Sequence, residues 1–156
     1  MRIAIVGHRR LNNPLAVRAD ILQFLTNWLQ DNPDEDLYVI SGMAWGTDLI
    51  AAEVSLALKA DNPKVHLIAA IPYENQDFLW SKDWRQLYHR VLSQADKKVL
   101  LCEGGHANWK FDFRNRWMVD NCDLVRAYIK DEKSGTQNCV NYATRKGTPI
   151  SYGSLG

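Results

Sequence analysis

Short apolar runs rich in β-formers alternate along this chain with longer amphipathic stretches, and no other feature of the sequence narrows the fold as much. Strands separated by helix-length segments are the pattern of βαβ units around a parallel sheet. Six such runs are legible: residues 2–6 (RIAIV), 37–41 (LYVIS), 65–71 (VHLIAAI), 97–101 (KKVLL), 124–129 (LVRAYI) and a last short strand opening at Pro149-Ile150. Between them the spacing predicts helices. From Pro14 to Leu29 the apolar residues Leu15, Ile21, Leu22, Leu25 and Leu29 recur at three- and four-residue intervals, with a proline in the opening turn, where its missing N–H is not needed. The helix starting near Thr47 carries Leu49, Ile50, Ala52, Val54, Leu56 and Leu58 on broad apolar faces and ends at the turn Asp61-Asn62-Pro63. Further helices are expected from about Phe78 to Ala95, over 111–121, and from Gly135 to Lys146, where Gly147 stops the last one. The fold class is therefore α/β, a Rossmann-like three-layer sandwich with a mostly parallel sheet of about six strands.

With 156 residues, the length suits one domain spanning 1–156. Basic and acidic residues nearly balance at 19 and 18, so no overall field draws in nucleic acid or an acidic membrane surface. The sequence shows neither a signal peptide nor a membrane span, and a cytoplasmic location is the expectation. Cys102, Cys122 and Cys139 form no CxxC pair and are odd in number, which argues against a disulfide framework and a thiolate zinc site. The four histidines are scattered, so no metal and no resident cofactor are expected.

In an open parallel sheet ligands collect at the carboxyl ends of the strands, where loops feed helix N-termini whose free N–H groups attract anions. Three loops have that form. The first is Gly7-His8-Arg9-Arg10, where a glycine permits a tight turn and the following side chains either reach a ligand or face solvent. The second, Ser41-Gly42-Met43-Ala44-Trp45-Gly46-Thr47-Asp48, is the most specific. Gly42 and Gly46 allow close backbone approach to a phosphate, Ser41 and Thr47 offer hydroxyls, and Asp48 either accepts from a ribose hydroxyl or caps the helix. Trp45 either covers a base or packs locally. The third loop, Lys133-Ser134-Gly135-Thr136, again opens a helix. Neither GxxxxGK[ST] nor GxGxxG occurs, which excludes a P-loop ATPase and the standard dinucleotide fingerprint. The segment Phe113-Arg114-Asn115-Arg116 adds basic groups on a helix, and Trp109, Phe111, Phe113 and Trp117 around it are either core or a base-stacking surface.

Ser41 to Ala52 resembles the SGxAxGxDxxAA stretch of the DprA proteins of the SLOG superfamily. The order of that loop, then Ile71-Pro72-Tyr73 with a long helix, then Phe113-Arg114-Asn115-Arg116 and Asp123, is closer to the YpsA-like branch. The resemblance implies a Rossmann domain that binds a nucleotide or nucleotide-derived, phosphate-containing small molecule as sensor, carrier or sequestering protein. On that reading Gly7, His8, Arg9, Ser41, Gly42, Gly46, Thr47, Asp48, Arg114, Asn115, Ser134, Gly135 and Thr136 surround the ligand. The LOG enzymes of the same superfamily cleave an N-glycosidic bond, and Arg114 matches the position of their catalytic arginine. Their glutamate is not matched: Gln137-Asn138-Cys139 follows Gly135-Thr136. Such cleavage usually needs a carboxylate, which only Glu53 or Asp48 from the other loop would supply. An N-glycoside hydrolase or deoxyribosyltransferase relative is thus the alternative, and single-stranded DNA binding a third, disfavoured by the near-neutral charge. Related proteins pair into dimers, and Trp80 and Trp84 are candidates for exposed interface residues.

Overall fold

The computed structural model describes residues 1–130 and 133–156. Its six strands are β1 (Arg2–Gly7), β2 (Leu37–Ser41), β3 (Val65–Ile71), β4 (Lys97–Leu100), β5 (Leu124–Tyr128) and β6 (Ile150–Tyr152). The helices are α1 (Pro14–Asp31), α2 (Thr47–Asp61), α3 (Lys82–Gln94), α4 (Asn108–Asp120) and α5 (Gly135–Lys146). The strands form one sheet in the order β4-β3-β2-β1-β5-β6, and every pairing is parallel. The chain winds outward from β1 to β4, then returns to the other side of β1 for β5. Because parallel crossovers keep one hand, that reversal puts the later helices on the opposite face and opens a crevice at the carboxyl ends of β1 and β5.

The packing follows that division. One core joins β1 and β2 to α1 and α2 through Ile3, Ile5, Val17, Ile21, Leu25, Val39 and Val54, while the other face packs Ala4, Val6 and Ile40 against Met118 and Val119 of α4 and Val140 and Ala143 of α5. The central strands β1, β2 and β3 are buried almost throughout, as near-continuous apolar runs require. The edge strand β4 begins with exposed Lys97 and Lys98, charges that discourage pairing with another chain. Among the described residues no helix is long and apolar enough to cross a membrane.

Three expectations need correction. Helix α3 begins at Lys82 after Ser81, whereas the sequence pattern starts it near Phe78. Residues 75–80 form turns instead, set off by Asn75 at φ 60, and Phe78 and Leu79 stand 70% and 89% exposed. Their apolarity imitates a helix face without being one. In α1 the buried stripe is Val17, Ile21 and Leu25, at i, i+4 and i+8, while Leu15 and Leu22 face solvent at 78% and 43% exposure. Helix α4 also starts earlier than its pattern, at Asn108.

A polar network fastens α1 to the far side of the sheet. Arg126 donates to Asp20 Oδ1 at 2.7 Å and to Ser151 Oγ at 2.6 Å, and the Tyr128 hydroxyl donates to the same Asp20 oxygen at 2.6 Å. Burial alone would raise the Asp20 pKa, but the Tyr128 and Arg126 hydrogen bonds outweigh it and hold the carboxyl below its ordinary value.

The stripe assignment separates two leucine-sized residues of one helix. Ile21→Ala is expected to lower the unfolding free energy by about 2–5 kcal/mol, and Leu15→Ala to change it by no more than about 0.5 kcal/mol, in urea titrations followed by far-ultraviolet circular dichroism.

Candidate functional site

The first two strand-end loops are locked together before any ligand is considered. The backbone N–H and the hydroxyl of Thr47 both donate to the His8 carbonyl, at 3.2 and 2.9 Å. Gly46, at φ 91, lies so close to the first loop that a Cβ there would sit 2.2 Å from the Arg9 carbonyl oxygen. A Cβ on Gly7 would sit 2.5 Å from Thr47 Oγ1. Within the second loop Ser41 Oγ donates to the Asp48 carbonyl at 2.8 Å and accepts from the Met43 N–H at 3.1 Å, which supports Met43 at φ 62. Ser41, Gly42, Gly46 and Thr47 therefore stand behind the wall of the cleft and are not among the residues that line it. The close approach that Gly7 and Gly46 permit is between loops.

Ahead of that wall lies a cleft of about 1610 Å³ at the carboxyl ends of the strands. Of the residues marked out by the sequence, Gly7, His8, Arg9, Asp48, Arg114, Asn115, Ser134, Gly135 and Thr136 line it, as does Trp45. Glu53 does not. It pairs with Arg18 of α1 and with Arg90 of α3, the latter at 2.7 Å, so its carboxylate ties three helices together and is withdrawn from the catalytic role considered for it. Trp80 and Trp84 are half-buried against the α2–α3 core, with Trp80 edge-on to Tyr88 at 5.3 Å and Trp84 at 6.0 Å from Trp45, so neither is the exposed aromatic anticipated.

The floor of the cleft holds a buried acid and base. Arg114 and Asp48 are 6% and 7% exposed. Arg114 Nη1 donates to the Gly42 carbonyl at 2.6 Å and its Nε to Asn115 Oδ1 at 2.8 Å, so α4 delivers the guanidinium and the β2–α2 loop receives it. Asp48 Oδ2 accepts from the Ala44 N–H at 3.3 Å. Gly42 leaves room for both, since a Cβ there would lie 2.7 Å from Arg114 Nη1 and 2.8 Å from Asp48 Oδ2. Burial raises the Asp48 pKa against the pull of Arg114, the Ala44 N–H and Arg9. Burial likewise opposes the charge on Arg114, and Asp48 supports it. The Cys139 thiol on α5 faces the same floor and is pushed up to about 12 by burial, which leaves it unreactive at neutral pH.

The helix N-termini around the cleft are not equivalent. Helix α2 carries Asp48 in its own first turn, which offsets its positive end. In α1 the first N–H is absent at Pro14 and the Ala16 N–H is taken by the Asn13 side chain. Helix α5 has no acidic residue in its first turn, Ser134 caps Gln137, and the first-turn N–H groups of Gly135 and Thr136 have no acceptor inside their own helix. A Cβ on Gly135 would meet nothing within 4 Å, so here the open space belongs to the cleft. The Lys130 N–H, just past β5, donates to His8 Nε2 at 2.8 Å, which ties the end of β5 to the first loop.

Tyr73 and His106, to which the sequence reading gave no role in the site, complete the wall together with Phe111. Tyr73 follows β3, and its ring meets Phe111 and His106 edge-on at 5.6 and 5.9 Å. The Arg9 guanidinium lies 5.1 Å from the Phe111 ring centre and that of Arg10 5.8 Å from Trp45. The available signal was positional, since Tyr73 ends a strand just as the glycine loops do. Trp109 and Phe113 are 61% and 48% exposed, whereas Trp117 packs against the core, so of these three only Trp117 is a core residue.

A family model described as the YspA SLOG family, under the name YpsA, matches residues 15–151. The chain belongs to that family. Among curated relatives of this YpsA family member, the SPbeta prophage-derived protein YoqJ of Bacillus subtilis is 34% identical over 68% of this chain and 68% of its own length. A UPF0398 protein of Bacillus cereus is 29% identical over 83% of the chain and 70% of its own length. Among solved structures, DNA processing protein A (DprA) of Helicobacter pylori, reported for its single-stranded DNA binding mode, superposes with a TM-score of 0.71 at 22% identity. That superposition covers 97% of this chain and 64% of the DprA chain. At such identity the likeness shows the Rossmann-like fold.

The loop interlock has a measurable consequence. Gly46→Ala brings both a strained φ and a collision with backbone, and is expected to lower the thermal midpoint by the equivalent of about 2 kcal/mol or more, whereas Gly135→Ala leaves the midpoint within about 1 kcal/mol of wild type in differential scanning calorimetry.

Proposed function

We propose that the cleft binds a nucleotide or nucleotide-derived, phosphate-containing small molecule, and that the protein acts as a sensor, carrier or sequestering domain. The observation that carries this reading is the N-terminus of α5: its dipole end is not offset by an acidic first-turn residue, its glycine opens onto the cleft, and it lies beside the crevice where the strand order reverses. Arg9 adds positive charge to the same cleft, and Tyr73, Phe111 and Trp45 offer faces for a base. Family membership and the Rossmann-like fold support a nucleotide-related ligand. No bond-breaking step is assigned: Glu53 is held in ion pairs, no carboxylate follows Gly135-Thr136 within the first turn of α5, and of the carboxylates considered only Asp48 lines the cleft.

Single-stranded DNA is the second reading, favoured by the exposed Trp109–Phe113 pair on α4, whose rings meet edge-on at 6.4 Å beside the cleft residues Phe111 and Arg114. Stacking surfaces next to cations suit unpaired bases. The balanced net charge of +1 weighs against it, since strand binding draws on many phosphate contacts.

Isothermal titration with the four common nucleoside 5′-monophosphates, the matching nucleosides and a dT oligonucleotide separates these readings. At least one monophosphate is expected to bind about tenfold or more tightly than its nucleoside, the difference of a charge-assisted phosphate contact. Equal affinity for nucleoside and nucleotide would overturn the phosphate site, and steeply salt-dependent binding of the oligonucleotide alone would transfer the function to DNA.

A further inference from the structure

Both members of the buried pair on the cleft floor have unused hydrogen-bonding capacity. Among the described residues, the side-chain polar atoms sealed from solvent without a hydrogen bond are His66 Nε2 and Gln76 Oε1. Arg114 Nη2 and Asp48 Oδ1 make no hydrogen bond to the described residues and are not sealed, so they open into the cleft that both side chains line. Loop and helix hold the two side chains from behind, through Gly42, Ala44 and Asn115, and leave one donor edge and one acceptor oxygen facing forward.

That arrangement selects a neutral group that donates and accepts at adjacent atoms. A phosphate at this point would meet the Asp48 carboxylate, and a purely apolar group would strand both polar atoms. Two neighbouring hydroxyls fit: one donates to Asp48 Oδ1 while an oxygen of the pair accepts from Arg114 Nη2. The position along the cleft points to the sugar. Arg114 lines the same cleft as Gly135, Thr136 and Cys139 of α5, and its guanidinium lies 5.9 Å from the Phe111 ring on the aromatic side. A group held there stands between phosphate and base.

Resting on the nucleotide reading above, we infer that Asp48 and Arg114 form a subsite for the ribose cis-diol, so that the ligand is a ribonucleotide, or a derivative that keeps the 2′- and 3′-hydroxyls, and not a deoxyribonucleotide. The upward pull of burial on the Asp48 carboxyl agrees with this, because a hydroxyl donor restores part of the solvation that the carboxylate loses in the floor. A site built to hydrogen-bond a hydroxyl rejects the analogue lacking it, since the buried partner is then left unpaired.

The test compares ligands on the unaltered protein, so folding of a variant does not enter. Nucleoside 5′-monophosphates, their 2′-deoxy and 3′-deoxy counterparts, ribose 5-phosphate and inorganic phosphate are titrated calorimetrically. Each deoxy compound is expected to bind about tenfold or more weakly than its ribonucleotide. In Asp48→Asn, checked for an unchanged thermal midpoint, that preference shrinks while the affinity for inorganic phosphate holds. Equal binding of ribo and both deoxy forms would overturn the diol subsite and leave the phosphate reading standing. If none of the phosphate compounds binds, both fall. A preference for ribose that persists undiminished in Asp48→Asn would place the diol elsewhere in the cleft.

Discussion

Gly46 carries no side chain because the Arg9 carbonyl occupies the place where one would begin, and Thr47 hands both its N–H and its hydroxyl to the neighbouring His8 carbonyl. Through this contact the loop after β1 and the loop after β2 become one rigid body. The cleft inherits its shape from it. With the loops fused, Gly7 and His8 are fixed at the mouth of the crevice, His8 can take the Lys130 N–H just past β5, and Asp48 is turned inward beside Gly42. Helix α4 then reaches the same point from the other face of the sheet and inserts Arg114. Helices from both faces of the sheet are thus joined at its carboxyl edge by a few polar contacts.

Burial decides how those contacts behave. Arg114 and Asp48 are each more than nine-tenths covered, a location in which an isolated charge would be expensive. They persist because each supports the other and because backbone groups take up part of their hydrogen-bonding capacity. What is left over faces the cleft. The α5 N-terminus has the opposite character, an open, backbone-made seat with no acidic residue in its first turn. An anion at one and a hydroxylated neutral group at the other is the division of labour that these two environments favour.

Much of this was legible in the residues. The alternation of apolar runs and amphipathic stretches places β2, β3 and α5 at their observed limits and gives the parallel class, because a strand buried on both faces has little choice of composition. The failures are of another kind. Phe78, Leu79 and Trp80 continue the apolar spacing of α3, and only the positive φ at Asn75 and the start after Ser81 show that they belong to a turn. Leu15 and Leu22 fit a helical period in α1, yet the sheet lies against the stripe headed by Val17. In the site, the residues single out the second loop, but glycine spacing does not tell whether the partner of a bare Cα is a phosphate or another part of the protein. That depends on contacts such as Gly46 with Arg9, 37 positions earlier in the chain. Arg114 became visible through family resemblance, while its anchor, the Gly42 carbonyl 72 residues away, exists only in the folded molecule.

The place of the ligand's phosphate decides between these environments. The most direct measurement is a crystal structure with a bound nucleoside 5′-phosphorothioate, whose sulfur marks the phosphate by anomalous scattering. The sulfur peak is expected at the N–H groups of Gly135 and Thr136, with the sugar toward Asp48 and Arg114. A peak at Ser41, Gly42 and Thr47, or on the outer surface of α4 near Trp109 and Phe113, would contradict it.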